Sequence, residues 1–202
     1  MVTDPNKATR KPRADSLRNR ERLLAAAAEI FRAGGPEASL EAVARRAGVG
    51  IGTLYRHFPT REALFEAIYR REVEQLAGLA EALAKSEPPF RALRLWLHAG
   101  VRLTATKRGM LTALTLAIDK SSEIYAFSSA QLTLALGVLL RRASAAGEVR
   151  GDVEPEDVLQ ALVGLSLMGR QEDWETNVIR LVDIFVDGLR AAAPLPADAV
   201  AG

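Results

Sequence analysis

The chain has 202 residues, 49% of them hydrophobic, so it is long enough to bury a core in one domain with a smaller appendage. It has no cysteine, which excludes disulfides and thiolate metal sites, and with only His57 and His98 as imidazoles we expect no metal or other cofactor. The net charge of +2 is uneven: residues 1–71 hold 14 Lys and Arg against 8 Asp and Glu, and the remainder is acidic. Such asymmetry is typical of a polyanion-binding end on a soluble body.

The two ends of the chain are polar or poor in structure-forming patterns. The N-terminus shows no apolar signal segment, and its basic residues predict a disordered arm over residues 1–14. Residues 191–202 predict a flexible tail. No apolar run approaches the ~20 residues that a membrane span needs, so we expect no membrane association and a cytoplasmic protein.

Between these ends the apolar residues repeat with helical spacing, as Leu24, Ala27, Ala28 and Phe31 do at i, i+3, i+4 and i+7. No segment sustains the period-two alternation of a strand. Caps and breakers set the expected ends of each helix. The predicted helices run over about 16–34, 39–48, 50–58, 60–85, 89–106, 110–118, 122–146, 155–169 and 172–190.

Two short helices within residues 39–58 are joined by Ala47-Gly48-Val49-Gly50, the length of turn that a helix-turn-helix requires, with Gly48 suited to its positive-φ position. Packing between the two helices explains the apolar residues of this hairpin. It does not explain four side chains on the second helix: Thr53, Tyr55, Arg56 and His57. Side chains of these types contact bases and phosphates from a helix in the major groove. From spacing alone, an ordinary helical hairpin with a solvated face explains them equally well.

The segment Ser39–Leu64, SLEAVARRAGVGIGTLYRHFPTREAL, closely resembles the DNA-binding domain of the TetR family of bacterial repressors. The resemblance covers about residues 16–70 and includes the turn, the recognition helix and the start of the next helix. It implies an all-α fold with an N-terminal three-helix helix-turn-helix domain at 15–60. It also implies a C-terminal helical bundle at 61–190 that binds a ligand and dimerises.

The resemblance implies that Thr53 and Tyr55 face the groove and that His57 contacts phosphate, although Tyr55 could instead brace the hairpin. It implies a phosphate contact for Arg61, whose charge otherwise opposes the helix dipole. Ser39 either contacts phosphate or only caps its helix. The expected DNA-binding residues are Ser39, Gly50, Ile51, Thr53, Tyr55, Arg56, His57 and Arg61.

The sequence departs from the common family pattern at the start of the recognition helix. Gly50 stands where Ser often caps, and Ile51 stands where a polar residue often reads bases. Ile51 either touches a thymine methyl or turns inward, and Gly52 removes one more reading side chain. Base specificity therefore does not follow from these residues.

The C-terminal body shows no catalytic constellation, and we expect no enzyme. The resemblance implies that the last two helices form the dimer interface, with Val158, Leu162, Leu165, Ile179, Val182 and Phe185. It implies an effector pocket among the middle helices, with candidate wall residues that plain core packing explains as well: Trp96, Leu103, Met110, Leu114, Phe127 and Gln131.

We therefore expect a homodimer that binds a palindromic double-stranded DNA operator and blocks transcription. A small, mainly apolar effector would release it by moving the long helix at 60–85. One alternative is a regulator without a ligand, or an activator. Another is a helical ligand-binding or enzymatic protein whose N-terminal hairpin is only structural.

Overall fold

The computed structural model describes residues 7–34, 38–110, 123–167 and 173–191. Among these residues no strand forms, and an isolated antiparallel bridge joins Val149 to Arg190. The all-α expectation is confirmed. The helices are α1 (Lys7–Gly34), α2 (Leu40–Ala47), α3 (Ile51–His57), α4 (Arg61–Ser86), α5 (Pro89–Met110), α6 (Glu123–Ala145), α7 (Pro155–Leu167) and α8 (Trp174–Gly188).

The N-terminal arm differs from its prediction, because residues 7–14 form the first two turns of α1 rather than a disordered segment. Lys, Arg and Ala are strong helix formers, and the packed part of α1 supplies the nucleus from which extension is inexpensive. Pro12 lacks an N–H but did not end the helix. The expected helix at 110–118 lies outside the described residues except for its first position, as does the expected tail except for Ala191.

The described residues belong to two compact units. The first comprises Met1–Glu72 and Ala105–Ala126, and the second comprises Val73–Thr104 and Phe127–Gly202. The division falls within α4, after Glu72. The functional domain boundary expected at residues 60 and 61 stays a prediction.

In the first unit α1 packs against α2 and also contacts the first half of α4. Leu24 and Phe31 of α1 and Leu64 and Phe65 of α4 have at most 1% of their surface exposed. The rings of Phe31 and Phe65 meet edge to face, with centroids 4.6 Å apart, an arrangement that adds favourable quadrupole attraction to apolar burial. Against this pair of helices pack the buried side chains of α2 and α3: Leu40, Val43, Ala44, Ala47, Leu54 and Phe58.

The second unit is a helical bundle centred on Trp96, which is fully buried. Its indole N–H donates to the Leu76 carbonyl at 2.8 Å, so the polar atom of the ring is satisfied within the core. A Cβ on Gly100 would lie 2.8 Å from Leu162 Cδ2, so glycine permits the close approach of α5 to α7. His98 Nε2 lies 2.8 Å from Asp183 Oδ1 and joins α5 to α8.

Helix α6 qualifies the expectation that no segment could span a membrane. By length and composition it is apolar enough to cross one, with a mean hydropathy of 1.4 in its most apolar window. Sequence analysis sought an unbroken apolar run, whereas polar residues are spaced among the apolar ones here. A single such helix is weak evidence, because core helices of soluble bundles have the same composition.

The turn between α2 and α3 is built on a left-handed residue. Gly48 has φ 67° and ψ 37°. Its N–H donates to the Arg45 carbonyl at 3.1 Å, and the Val49 N–H donates to the Ala44 carbonyl at 3.0 Å, the pattern of a Schellman motif. The predicted glycine turn is confirmed.

Because an L side chain is strained in this conformation, Gly48→Ala should lower the free energy of unfolding by about 1–2 kcal/mol. The added Cβ would also displace the end of the Arg22 side chain. Gly52→Ala is the matched control: it lies in α3 with no atom within 4 Å of its Cβ position, and should be neutral or slightly stabilising. Denaturant midpoints measure both, and equal stability of the two variants would contradict the argument.

Candidate nucleic-acid interface

The entry to α2 is fixed by Ser39, which the sequence predicted as its cap. The Ser39 hydroxyl accepts a hydrogen bond from the Ala42 N–H at 3.3 Å and donates to Glu41 Oε2 at 2.7 Å. The predicted cap is confirmed, while any contact of Ser39 with phosphate stays a prediction. The hydroxyl is exposed, so it lies on the surface of the first unit.

Glu41 is held in its ionised form by this arrangement. The Ser39 hydrogen bond is the main cause that lowers the pKa of the Glu41 carboxyl, and the Glu41 backbone N–H and the nearby charge of Arg61 act in the same direction. A lowered pKa stabilises the folded state above the ordinary pKa of glutamate, and this contribution disappears as pH falls through the lowered value.

Helix α3 presents one side to the core and the other to solvent. Leu54 and Phe58 are buried, with 0% and 2% of their surfaces exposed, and they hold α3 against the rest of the first unit. Tyr55 is 46% exposed, so much of its ring stays accessible beside the packed face. Gly50 is the N-cap of α3 and makes no side-chain cap. Ile51 is half-buried.

Two polar residues of α3 are joined on its solvent side. Arg56 donates from Nη2 to Thr53 Oγ1 at 3.0 Å and from Nε to the Gly52 carbonyl at 3.2 Å. Because Thr53 Oγ1 accepts from Arg56, its own hydroxyl hydrogen points elsewhere and can be donated to an acceptor outside the protein. The pair therefore offers a cation and a hydroxyl donor side by side.

The C-terminal end of α3 gathers basic and aromatic groups that the sequence only partly identified. The ring of His57, which is half-buried, lies 6.2 Å from that of Phe58. The guanidinium carbon of Arg20 on α1 lies 5.3 Å from the Phe58 centroid. At the opposite end of α3, in the turn that precedes it, Arg22 of α1 donates from Nη2 to the Gly48 carbonyl at 3.5 Å, a long contact.

Sequence analysis missed Arg20 and Arg22 as neighbours of the hairpin. A signal was present for Arg20, since Leu23, Leu24 and Ala27 follow it at i+3, i+4 and i+7 and place it at the edge of the buried stripe. These arginines add positive charge where α1 borders α2 and α3. Such charge favours a polyanion at this surface.

Arg61 is occupied inside the first unit. Its Nη1 donates to the Ala38 carbonyl at 2.9 Å, and its guanidinium carbon lies 5.7 Å from the Phe31 centroid and 6.0 Å from the Phe65 centroid. The residue is half-buried, unlike the exposed arginine of α3. Thr60, immediately before it, caps α4 by accepting from the Ala63 N–H at 3.1 Å, as predicted.

The predicted effector residues differ in burial, and their role stays a prediction. Trp96 and Leu103 are buried, whereas Gln131 is exposed and Phe127 is half-buried. The side chain of Met110 and the whole of Leu114 lie outside the described residues. A cleft of about 720 Å³ lies elsewhere in the second unit, between the C-terminal half of α6 and the start of α7.

The predicted dimer residues divide into two groups. Val158, Leu162 and Val182 are buried within the second unit, with at most 5% of their surfaces exposed. Leu165, Ile179 and Phe185 are half-buried. Two apolar side chains on the same helices are open to solvent: Val163 at 47% exposure and Ile184 at 66%.

The described residues contain no group of three or more His, Asp or Glu side chains placed to hold a metal ion. What the first unit offers is a short helix with a polar outer face, positioned by a tight turn. A protein-family model described as "Bacterial regulatory proteins, tetR family" matches residues 23–68, and one described as "Transcriptional regulator SbtR-like, C-terminal domain" matches residues 88–191. The chain belongs to the TetR family.

Known relatives agree with this assignment along most of the chain. The crystal structure of the TetR transcriptional regulator SCO0520 from Streptomyces coelicolor is 42% identical, with a TM-score of 0.76 over 86% of this chain and 99% of that one. The HTH-type transcriptional regulator UidR of Escherichia coli K12 is 27% identical over 85% of this chain and 89% of its own length. The HTH-type transcriptional repressor KstR of Mycolicibacterium smegmatis is 42% identical over 72 residues, 34% of this chain and 35% of its own length.

Membership in the TetR family shows which class of protein this chain is. The chain is a helix-turn-helix transcriptional regulator, from a family of DNA-binding regulators rather than of enzymes. The resemblance stated from residues 39–64 is confirmed. The roles of individual residues stay predictions.

Ser39→Ala should lower the free energy of unfolding by about 1 kcal/mol at neutral pH, because the cap of α2 is lost. It should also let the pKa of Glu41 rise toward its ordinary value, which an NMR titration of the Glu41 carboxyl measures. Ser86→Ala is the control, since that exposed hydroxyl only donates to the Ala82 carbonyl in the last turn of α4. An unchanged Glu41 titration in Ser39→Ala would contradict the assigned cause.

Proposed function

We propose that this TetR-family regulator is a homodimeric repressor that reads a palindromic operator with α3 and is released by a small, mainly apolar effector. The observation that carries the proposal is the division of α3 into a buried side, with Leu54 and the C-cap Phe58, and an outer side, on which Tyr55 and Arg56 are exposed and Thr53 is half-buried. A recognition helix needs this division, because one side must be held rigidly while the other meets base edges.

The side chains on the accessible face suit different acceptors on DNA. Thr53 can donate its hydroxyl hydrogen to a base or phosphate oxygen, and Arg56 beside it supplies the charge that attracts phosphate or guanine. Tyr55 can donate to a base edge or a phosphate, and His57 to a phosphate oxygen. Ile51, the first residue of α3, can pack against a thymine methyl group, and the N-cap Gly50 before it has no side chain to offer.

The proposed dimer is supported by the apolar side chains that α7 and α8 leave exposed to solvent. Their buried residues, such as Val158 and Val182, serve the core of the subunit, while Val163 and Ile184 remain open to solvent. If a second copy packed here about a twofold axis, Val163 and Ile184 of both copies would be buried. Two recognition helices about 34–36 Å apart, or a multiple of that distance, would then match symmetric half-sites.

Effector control rests on the family relationship of the second unit and on its apolar composition. Trp96 and Leu103 are buried there, with 0% and 8% of their surfaces exposed, and they are the candidate pocket residues that this unit contributes to its own core. Because α4 contributes to both units, an effector that favours one position of α4 would change the affinity for the operator. A regulator that works on bacterial DNA acts in the cytoplasm.

Selection of bound DNA from a random pool tests the proposal, and should return an inverted repeat. Against that sequence, Tyr55→Ala should weaken binding about tenfold or more, roughly 1.4 kcal/mol, because an accessible contact is removed from the reading face. Fluorescence anisotropy measures the affinity. Since Tyr55 is 46% exposed, the stability of the protein should change little.

Gln75→Ala is the control for this prediction, because Gln75 is exposed on the second half of α4 and should leave affinity unchanged. Recovery of no preferred sequence from the pool would refute the proposed function. Addition of apolar small molecules to the operator complex then tests release. A complex that none of them dissociates would favour the alternative of a regulator without a ligand.

Ile184→Arg should raise the dissociation constant of the dimer about a hundredfold, because each copy would bury an unpaired charge in the interface. The monomer should keep its fold, since this side chain is 66% exposed. Sedimentation equilibrium measures the association state, and Gln75→Arg controls for added charge. A dimer as stable as that of the unmodified protein would place the interface elsewhere.

A further inference from the structure

Arg61 stands apart from the other basic residues of the first unit because its guanidinium is already engaged on two sides. It lies over the edge-to-face pair of Phe31 and Phe65, both of which are fully buried. On its other side Nη1 donates to the Ala38 carbonyl at 2.9 Å. The planar guanidinium can do both at once, because its face packs on aromatic rings while its edge donates hydrogen bonds.

The carbonyl that Arg61 binds lies at a sensitive position. Ala38 immediately precedes Ser39, whose hydroxyl caps α2, and the same Ser39 hydroxyl donates to Glu41. The charge of Arg61 also favours ionised Glu41 and so supports that hydrogen bond. Arg61 itself is the first residue of α4. One side chain thus connects α1, the entry of α2 and the first turn of α4.

We infer that Arg61 is a positioning residue, which fixes the entry of α2 relative to α1 and α4 and thereby sets the placement of α3, rather than a contact to DNA phosphate. Helix α2 transmits this placement, because the Gly48 turn joins it tightly to α3 and the buried residues of both helices share one core. The inference rests on the proposed DNA-binding function. Through Arg61, α4 also contacts the helix-turn-helix formed by α2 and α3 directly.

The two roles predict different responses to substitution. A phosphate contact depends on charge, so Lys at position 61 would retain it. Removal of the charge from both subunits of the proposed dimer would reduce the log–log slope of affinity against salt by about 1.8, which is about 0.9 for each lost phosphate contact. A positioning role depends on shape, so Lys at position 61 would not retain it. The ammonium group of Lys is not planar and cannot pack on the rings of Phe31 and Phe65 while it donates to the Ala38 carbonyl.

The experiment compares Arg61→Lys and Arg61→Ala with the unmodified protein on the selected operator. We expect both variants to bind at least about fivefold more weakly, with a salt slope equal to that of the unmodified protein. Affinity is measured by fluorescence anisotropy between about 50 and 200 mM salt, a range over which phosphate contacts register clearly. Arg46→Ala is the matched control, since Arg46 pairs with Glu29 on the exposed surface of the same unit and should lose much less affinity.

A second measurement needs no DNA. Amide hydrogen exchange at Ala42 and Val43, in the first turn of α2, should be faster in Arg61→Lys and Arg61→Ala but unchanged in Arg46→Ala. This readout separates the inference from the proposed function, because it remains valid even if no operator is found. Full affinity with Arg61→Lys, a slope reduced by about 1.8 in Arg61→Ala, or unaltered exchange in both variants would each overturn the positioning role.

Discussion

The left-handed backbone at Gly48 is the constraint on which the DNA-binding surface depends. It ends α2, satisfies the last carbonyls of that helix, and turns the chain so that Leu54 and Phe58 of α3 reach the same core as Val43. A seven-residue helix such as α3 has little stability of its own in water. Its position is therefore set by the turn before it and by two buried side chains.

In the second unit, too, a helix has a buried side and an exposed side. Helices α7 and α8 direct Val158, Leu162 and Val182 into their own subunit and leave Val163 and Ile184 outside. In the core of that unit the indole N–H of Trp96 is satisfied by the Leu76 carbonyl. Val163 and Ile184 lie outside this core, and the proposed function has a second copy of the chain cover them.

Much of the fold could be predicted from the sequence because helical periodicity, caps and breakers are local signals. Ser39, Gly48 and Thr60 each act at the helix end where the pattern placed them. The early start of α1 could not be predicted, because propensity in a basic segment does not reveal that a packed helix will extend into it. The boundary between the compact units, inside α4, leaves no mark in composition.

The site was predictable in outline but not in its contacts. Spacing and family resemblance identified the outer face of α3, whereas the engagement of Arg61 with Phe31 and Ala38 depends on three segments that are distant along the chain. Likewise, apolar spacing cannot distinguish a residue that faces its own core from one that faces a partner. Val158 and Ile184 have equally apolar side chains and opposite environments.

The glycines at the start of α3 have an evolutionary consequence. Cβ atoms at Gly50 and Gly52 would meet no other atom within 4 Å, so side chains can be introduced there without repacking the hairpin. Asparagine, arginine or glutamine at these positions would bring new donors and acceptors to the duplex while leaving the scaffold intact. The protein thus has vacant positions from which a descendant, or a designer, can retarget it to a different operator.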